Sequence, residues 1–327
     1  MKRLALLILV FSTFSGSFAQ KLSYDGELNV VADNREYFSP VQNPQTIFGL
    51  QPAFKIGWSL DSNSTVFGGA VGFYEFGSSN FGKFWQPTLY YQGKSKNVLF
   101  HAGAFPRKNI SSHYPIALLY DTINYYRPNI EGLALSYDDK NAFLNLWLDW
   151  TSRQTFSSRE NFMLGMDAKI KLFGPVFVQG FSKLFHFAGP MDPLDSIPLN
   201  DNAAIVAQIG LDLTPYTSLD SLVLTFGLLE SYDRKRGLHD WIVGSGALTT
   251  AYGKFKKFDL GLNIYQGDKQ IVFHGDKFYN SDKLYARVDA GWAFAQRKNL
   301  EIKFIASFHQ TEEELNSQQV LRVCAKF

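Results

Sequence analysis

The 327-residue chain lacks a second cysteine, an excess of charge of either sign, and any long apolar run beyond its N-terminus. One cysteine, Cys324, allows neither an internal disulfide nor a cysteine-built metal site. Lys and Arg total 32 against 30 Asp and Glu, so no basic excess is available to neutralise phosphates, and we expect no nucleic-acid partner. After residue 19, no apolar stretch approaches the roughly 18 residues of a transmembrane helix. Disorder is excluded as well, because aromatic residues make up 16% of the chain.

The N-terminal segment has the pattern of a secretory signal. Lys2 and Arg3 precede an apolar run over residues 4–14, and Ser17 and Ala19 place small residues at the positions that a signal peptidase reads. The run is too short to cross about 30 Å of hydrocarbon. We therefore predict a cleaved signal peptide over residues 1–19 and a single domain over residues 20–327.

Apolar residues then alternate with small or charged residues through most of the chain. Residues 48–60, 162–172 and 284–294 show this best: apolar side chains occupy every second position, and glycine, lysine, arginine or aspartate recur between them. In a strand, these two sets face opposite sides of the sheet. Sixteen such segments can be counted, most of them close to the roughly 9–11 residues that a tilted strand needs to cross a bilayer. The alternation at 97–106 and 175–187 is poor.

The connections between these segments alternate in length. Short turns such as 61–64, 138–141 and 173–174 alternate with longer loops, of which 107–128 is the longest. Outer-membrane barrels show this asymmetry, with short periplasmic turns and longer extracellular loops. We predict an all-β fold: a transmembrane, antiparallel, up-and-down β-barrel of about 16 strands. Aromatic girdles are expected from residues near segment ends, namely Trp58, Phe76, Trp85, Trp150, Phe162, Trp241, Phe258, Trp292 and Phe308.

The last segment carries the clearest resemblance to a known family. Leu321, Val323, Ala325 and Phe327 alternate with polar or small residues and end in a C-terminal phenylalanine. With the signal peptide and the strand pattern, the mature chain resembles Gram-negative outer-membrane porin-type β-barrels. The resemblance implies an outer-membrane location, contact with outer-membrane lipid and lipopolysaccharide, and insertion by the barrel-assembly machinery with Phe327 as its signal. The protein could also form a homo-oligomer or bind a partner in an outer-membrane complex.

Sixteen strands leave room for an aqueous channel, and the inward set carries charges of both signs. The predicted lumen-facing charges are Lys55, Asp167, Lys169, Arg287, Asp289, Lys303 and Arg322. In sixteen-stranded porins the third long loop folds into the lumen, so the resemblance implies that loop 107–128 is the constriction. Charges in such a constriction tune selectivity, and the candidates are Arg107, Lys108, Asp121, Arg127 and Glu131. The apolar character of this loop is equally compatible with a contact to another protein.

Three functions are compatible with this pattern. The first is passive diffusion of small hydrophilic solutes through a porin-like channel, and the second is a non-enzymatic accessory or structural subunit of an outer-membrane complex. The third is a hydrolase at the barrel rim, with His239 and His274 as its only candidates, but no G-x-S-x-G elbow or H-E-x-x-H pair is present. We therefore expect no enzyme, no catalytic residues, no metal and no cofactor. The run Arg234–Lys235–Arg236 either attracts anionic lipopolysaccharide or solutes, or is a solvated loop.

Overall fold

The computed structural model describes residues 21–78, 85–189, 191, 198–280 and 283–327, and the predicted signal peptide lies outside the described residues. Its strands form one antiparallel sheet that closes on itself. In chain order they are β1 Leu22–Glu36, β2 Gln45–Ser59, β3 Ser64–Val71, β4 Tyr74–Glu75, β5 Gln86–Ser95, β6 Val98–Pro106, β7 Asn129–Asp138, β8 Ala142–Ser152, β9 Asn161–Lys171, β10 Val176–Phe187, β11 Asn200–Asp212, β12 Ser221–Lys235, β13 Ile242–Phe255, β14 Phe258–Gly267, β15 Leu284–Arg297, β16 Leu300–Gln310 and β17 Leu315–Lys326.

The sheet closes where the first strand pairs with the last. β1 pairs antiparallel with β17 from Glu27 opposite Lys326 to Glu36 opposite Ser317. The other strands pair with their neighbours in sequence, except that β3 and β4 both pair with β2 and β3 pairs with β5. Closure leaves no free sheet edge. This matters in a membrane, because hydrocarbon offers no hydrogen-bond partner for the backbone N–H and C=O groups of an edge strand. The prediction of a sixteen-stranded antiparallel barrel is confirmed, because β3 and β4 together occupy one of the sixteen positions.

The break between β3 and β4 lies beside an aromatic contact inside the barrel. The alternation over residues 65–76 predicts one continuous strand there, but Gly72 and Phe73 interrupt it. Phe73 is buried and stacks on Tyr125 with ring centroids 5.7 Å apart. The Gly72 N–H still donates to the carbonyl of Pro52 on β2 (3.0 Å), so the interruption is short.

The alternation of the sequence becomes two faces of the barrel wall. On β15, Tyr285 and Arg287 are buried, whereas Val288 and Trp292 are exposed on the other face. The same holds for β9, where Met163 and Asp167 are buried and Leu164 is exposed. Apolar side chains therefore cover the outside, as a lipid-facing wall requires. Of the nine predicted girdle aromatics, eight are exposed: Trp58, Phe76, Trp85, Trp150, Trp241, Phe258, Trp292 and Phe308.

In the part of the chain that the structure describes, helical structure is confined to short turns of the connections. These are α1 (Lys108–Ser111), α2 (Ile123–Tyr126) and two 3₁₀ turns, Thr214–Tyr216 and Lys277–Asn280. Within the described ranges, none of the helices has the length and apolar character needed to cross a membrane. α1 and α2 both belong to loop 107–128, and this loop lies inside the barrel.

Candidate functional site

Loop 107–128 spans the lumen and contacts several parts of the wall. The side chain of Gln51 on β2 donates to the carbonyl of Asn124 (2.7 Å), and that of Asn145 on β8 donates to the carbonyl of Ile110 (3.0 Å). The Lys183 ammonium, fully buried on β10, donates to the carbonyls of Leu118 and Phe273. Unpaired backbone carbonyls are costly to bury, so these side chains hold the loop at a fixed position across the barrel.

A second long loop, 268–283, packs on the first. The Tyr120 N–H donates to the carbonyl of His274 (2.6 Å), and the Asp276 N–H donates to the carbonyl of Ile116 (2.8 Å). A buried aromatic cluster joins this loop to the wall, since Phe278 stacks on His309 with ring centroids 4.6 Å apart. The two loops together fill the middle of the lumen with packed side chains.

Two separate cavities flank residues 120–126 of loop 107–128. The inner vestibule, of about 270 Å³, lies toward the short-turn side and is lined by Glu27, Lys55, Lys108, Asp121, Asn124 and Arg322 among others. The outer vestibule, of about 520 Å³, lies toward the long-loop side and is lined by Arg35, Gln42, Tyr120, Arg127, His274 and Lys277 among others. The long loops are the extracellular ones in barrels of this kind, so the outer vestibule opens toward the cell exterior.

The structure places all seven predicted lumen charges on the inner face. Most of them are paired: Lys55 with Asp25 (2.7 Å), Lys303 with Asp259 (2.7 Å) and Arg322 with Asp121 (3.3 Å). Arg287 pairs with Asp289 at 2.8 Å, and the Lys169 ammonium lies 3.8 Å from the centre of the Phe177 ring. Asp167 is buried beside Asn145. Paired charges of both signs produce little net field along the lumen.

The five predicted constriction charges have different positions. Arg107 is fully buried in an ion pair with Asp149 of β8, and Lys108 pairs with Glu27 (2.5 Å) beside the inner vestibule. Asp121 lines the inner vestibule and Arg127 the outer one. The placement of Glu131 in the lumen is corrected: it is exposed on the same face of β7 as Leu133 and Leu135, because the strand has already begun at Asn129.

A polar cluster lies on the outer face of the wall, at the extracellular ends of β10, β11 and β12. On β10, Phe185 is buried in the lumen, so its neighbour His186 faces outward. The same alternation turns Asp201 of β11 and Arg234 of β12 outward, and the backbone pairs Asp201 with both of the others. Polar residues on a lipid-facing wall are unusual, so this cluster requires an explanation.

The cluster is organised around the Asp201 carboxylate. Its Oδ1 lies 2.8 Å from His186 Nδ1, and its Oδ2 accepts from Arg234 Nη2 (3.0 Å) and Arg236 Nε (2.8 Å). Arg236 Nη2 also donates to Oδ1 (3.1 Å), and these bonds raise the pKa of Arg236. Two aromatic rings flank the cluster: Phe162 lies 5.1 Å from His186, and Arg234 lies 4.5 Å from the Trp241 ring centre.

This geometry is suited to proton transfer next to an anion. When His186 Nδ1 carries its proton and donates to Asp201, Nε2 keeps a lone pair and can act as a general base. His186 is about 20% exposed, so a substrate in the outer leaflet can reach it. Arg234 and Arg236 add positive charge at the level of the aromatic belt, where lipid headgroups begin.

An apolar groove of about 600 Å³ lies on the outer wall below this cluster. Its exposed lining residues include Leu133, Leu146, Leu164, Met166 and Ile205. Leu184 and Ala203, which also line it, are paired across β10 and β11 two residues below His186 and Asp201. The groove therefore runs from the hydrocarbon region up to the polar cluster.

A family model decides the classification. The model of the lipid A 3'-O-deacylase-type family matches residues 16–323. The chain belongs to this family. The expectation that the protein is not an enzyme is therefore wrong, since the family is one of enzymes. Local motifs such as G-x-S-x-G cannot reveal an active site whose residues are far apart in the sequence.

Several solved structures share the fold. A loop-deletion mutant of OmpT, an outer membrane protein of Vibrio cholerae, matches with a TM-score of 0.59 and 8% identity, covering 95% of this chain and 100% of that one. Salmonella typhi OmpF in complex with daunomycin matches with a TM-score of 0.53 and 10% identity, covering 94% and 98%. Pseudomonas aeruginosa OccK9 matches with a TM-score of 0.53 and 11% identity, also covering 94% and 98%. At these identities the likeness shows the fold alone: a closed β-barrel of the outer-membrane type. None of the curated proteins matches the chain.

The sequence reading of this family member missed His186 and Asp201. It selected His239, whose Nδ1 lies 2.8 Å from the carbonyl of the adjacent Asp240, and His274, which lines the outer vestibule. It did single out the run that contains Arg234 and Arg236. The sequence signal was weak, because the alternation over 175–187 is poor and does not show which face of the strand His186 occupies. Among the described residues, no three His, Cys, Asp or Glu side chains cluster as a metal site would require.

Proposed function

We propose that the protein is an outer-membrane hydrolase that removes an ester-linked acyl chain from a lipid A-type glycolipid. The observation that carries this proposal is the His186–Asp201 pair on the outer wall, with Arg234 and Arg236 on the same carboxylate. This cluster lies at the extracellular ends of the strands, at the level of the outer leaflet, where lipid A resides. Family membership supports the reaction class.

In this proposal the residues divide the work between binding and proton transfer. Arg234 and Arg236 bind a phosphate of the glycolipid through charge-assisted hydrogen bonds. His186 Nε2 takes a proton from a water molecule, whose oxygen attacks the ester carbonyl, while Asp201 stabilises the imidazolium that forms. Collapse of the tetrahedral intermediate expels the sugar-side alkoxide, which takes the proton from His186. The products are a free fatty acid and a lipid with one free hydroxyl.

The apolar groove supplies the site for the acyl chain. Leu184 lies two residues before His186 on the same face of β10. An acyl chain along Leu164 and Leu184 therefore brings its carbonyl end next to His186. Burial of each methylene contributes about 0.8 kcal/mol relative to water. In a bilayer this gain is small, since lipid already surrounds the chain, so the groove orients the substrate more than it adds affinity.

The direct test is incubation of the purified, detergent-solubilised protein with lipid A, followed by mass spectrometry of the lipid and quantification of released fatty acid. We expect a product lighter by one acyl group and one equivalent of free fatty acid. Intact lipid A after prolonged incubation with correctly folded protein would contradict the proposal.

Passive diffusion of small hydrophilic solutes is a second candidate for the same barrel. It is supported by the polar vestibules on both sides of residues 120–126. Planar-bilayer recording tests it: discrete conductance steps support a diffusion path, and their absence in folded protein contradicts one. The outcome does not bear on the hydrolase, whose site lies outside the lumen. Cleavage after residue 19 remains a proposal that N-terminal sequencing of the mature protein tests.

A further inference from the structure

The outer vestibule is a cationic cavity separate from the proposed hydrolase site. It lies within the lumen, between the beginning of β2, loop 107–128 and loop 268–283, whereas His186 faces the lipid. Three of its lining residues are cations, Arg35, Arg127 and Lys277, and the described lining residues include no Asp or Glu. The remaining polar lining is neutral, including Gln42 and Asn43.

Arg35 is a fixed, neutralised part of the wall. Its Nη2 donates to Asp33 at 2.6 Å, both side chains are buried, and its guanidinium carbon lies 5.0 Å from the centre of the Tyr120 ring. Arg35 therefore shapes the cavity without adding net charge to it. The excess positive charge comes from the other two cations.

Arg127 and Lys277 take part in none of the ion pairs found among the described residues. Arg127 Nη1 donates to the carbonyl of Thr151 (3.2 Å), and its buried Nε has no hydrogen-bond partner. Lys277 is exposed at the opposite side of the cavity, on the 3₁₀ turn of loop 268–283. Two uncompensated cations facing one cavity raise the local concentration of anions, and the low-dielectric walls strengthen this effect.

The floor of the cavity favours retention over passage. Tyr120 and Ile123 are buried, and the Tyr120 hydroxyl lies 3.2 Å from that of Tyr37. A solute that enters from outside therefore meets packed side chains of loop 107–128 below it. Arginine suits a phosphate in such a position, because its planar guanidinium donates in a fork that matches two phosphate oxygens.

We propose that the outer vestibule binds a small soluble phosphate monoester from the cell exterior, with Arg127 and Lys277 as its charged contacts. Neutral polar groups such as Gln42 are placed to contact the rest of the solute. This binding does not depend on the hydrolase activity.

Isothermal titration calorimetry of the full-length protein in detergent tests the proposal, with glucose 1-phosphate as the probe and glucose as the neutral comparison. We expect binding of the phosphorylated sugar that weakens as salt rises, and no detectable binding of glucose. Arg127→Gln and Lys277→Gln should each weaken binding at least tenfold. The matched control is Arg153→Gln, an exposed arginine of another loop outside the vestibule lining, which should leave Kd within about twofold.

Equal binding of glucose and glucose 1-phosphate, no binding of either by the wild type, or unchanged affinity in the Lys277→Gln variant would overturn the proposal. Lys277 is exposed, so its substitution leaves the fold intact even if Arg127→Gln disturbs the loop. The His186→Ala variant should bind glucose 1-phosphate normally. Loss of lipid hydrolysis and loss of phosphate binding are therefore separate outcomes.

Discussion

Asp149 and Asp201 both lie near the extracellular end of a strand, and they face opposite sides of the barrel wall. Asp149 faces the lumen, where it is fully buried against Arg107. Asp201 faces outward, where it joins His186 to two arginines. One position along a strand changes the environment from packed interior to lipid headgroups, so the same residue type serves stability in one place and proposed catalysis in the other.

For the polar cluster on the outer wall, we predict that His186→Ala and Asp201→Asn each lower the rate of lipid A deacylation by a factor of about 10² or more. General-base catalysis contributes roughly this much, and an asparagine no longer stabilises the imidazolium. The rate is measured by fatty-acid release under saturating lipid. His239→Ala, at a half-buried loop histidine outside the cluster, is the matched control and should retain full activity. Equal rates for all three variants and the wild type would exclude this pair from the mechanism.

For the buried pair of Arg107 and Asp149, we predict that Asp149→Ala destabilises the barrel by about 3–5 kcal/mol, because it leaves a buried guanidinium without its counter-ion. The measurement is reversible urea unfolding in detergent or lipid vesicles. The double variant Arg107→Met/Asp149→Leu should recover much of the loss, since no buried charge then remains. The control is Asp25→Ala at the exposed pair with Lys55, with an expected cost below about 1 kcal/mol. A similar cost for both aspartates would contradict the burial argument.

Among the elements, loop 107–128 combines features that the sequence suggested and features that it did not. The resemblance to porins implied a loop that folds inward, and the structure places it there. Its helical turns are short, and α2 covers only Ile123–Tyr126. The contacts that fix the loop come from wall residues such as Gln51 and Lys183 and from loop 268–283, and sequence periodicity cannot reveal such partners.

We predict that replacing residues 112–122 by a short glycine-serine linker raises the single-channel conductance in planar bilayers. The linker removes Tyr114, Leu118 and Leu119, whose side chains are buried in the middle of the lumen. Replacing residues 154–158, in a loop with mostly exposed side chains, is the control and should leave conductance unchanged. An unchanged conductance after the first replacement would show that loop 268–283 closes the lumen by itself.

At the scale of the whole molecule, the barrel depends on joining its two ends. The Phe327 N–H donates to the carbonyl of Gly26 (2.8 Å), and the Phe327 side chain packs beside Gly26 on the outer face. The last residue is thus both part of the closing strand pair and the predicted signal for insertion. The two roles can be separated by experiment. Strand closure is needed in detergent micelles as well as in the cell, whereas recognition by the assembly machinery occurs only in the cell.

We predict that Phe327→Ala lowers the amount of folded barrel in the outer membrane several-fold, as measured by heat-dependent gel migration of membrane fractions. Refolding of the same variant into detergent micelles should be nearly normal, because one exposed side chain contributes little to closure. Lys326→Ala is the matched control. Equally poor refolding in micelles would assign the defect to the fold and not to recognition by the assembly machinery.

The sequence by itself determined the barrel, its strand number and the direction in which most side chains face. These follow from a period of two residues and from the lengths of connections, both of which are local properties. Only the tertiary structure decided which distant residues meet: His186 with Asp201 and Arg236 on the outside, Arg107 with Asp149 inside, and Glu131 outside the lumen. Contacts between strands depend on register and on where each strand begins, and a shift of one residue exchanges the two faces.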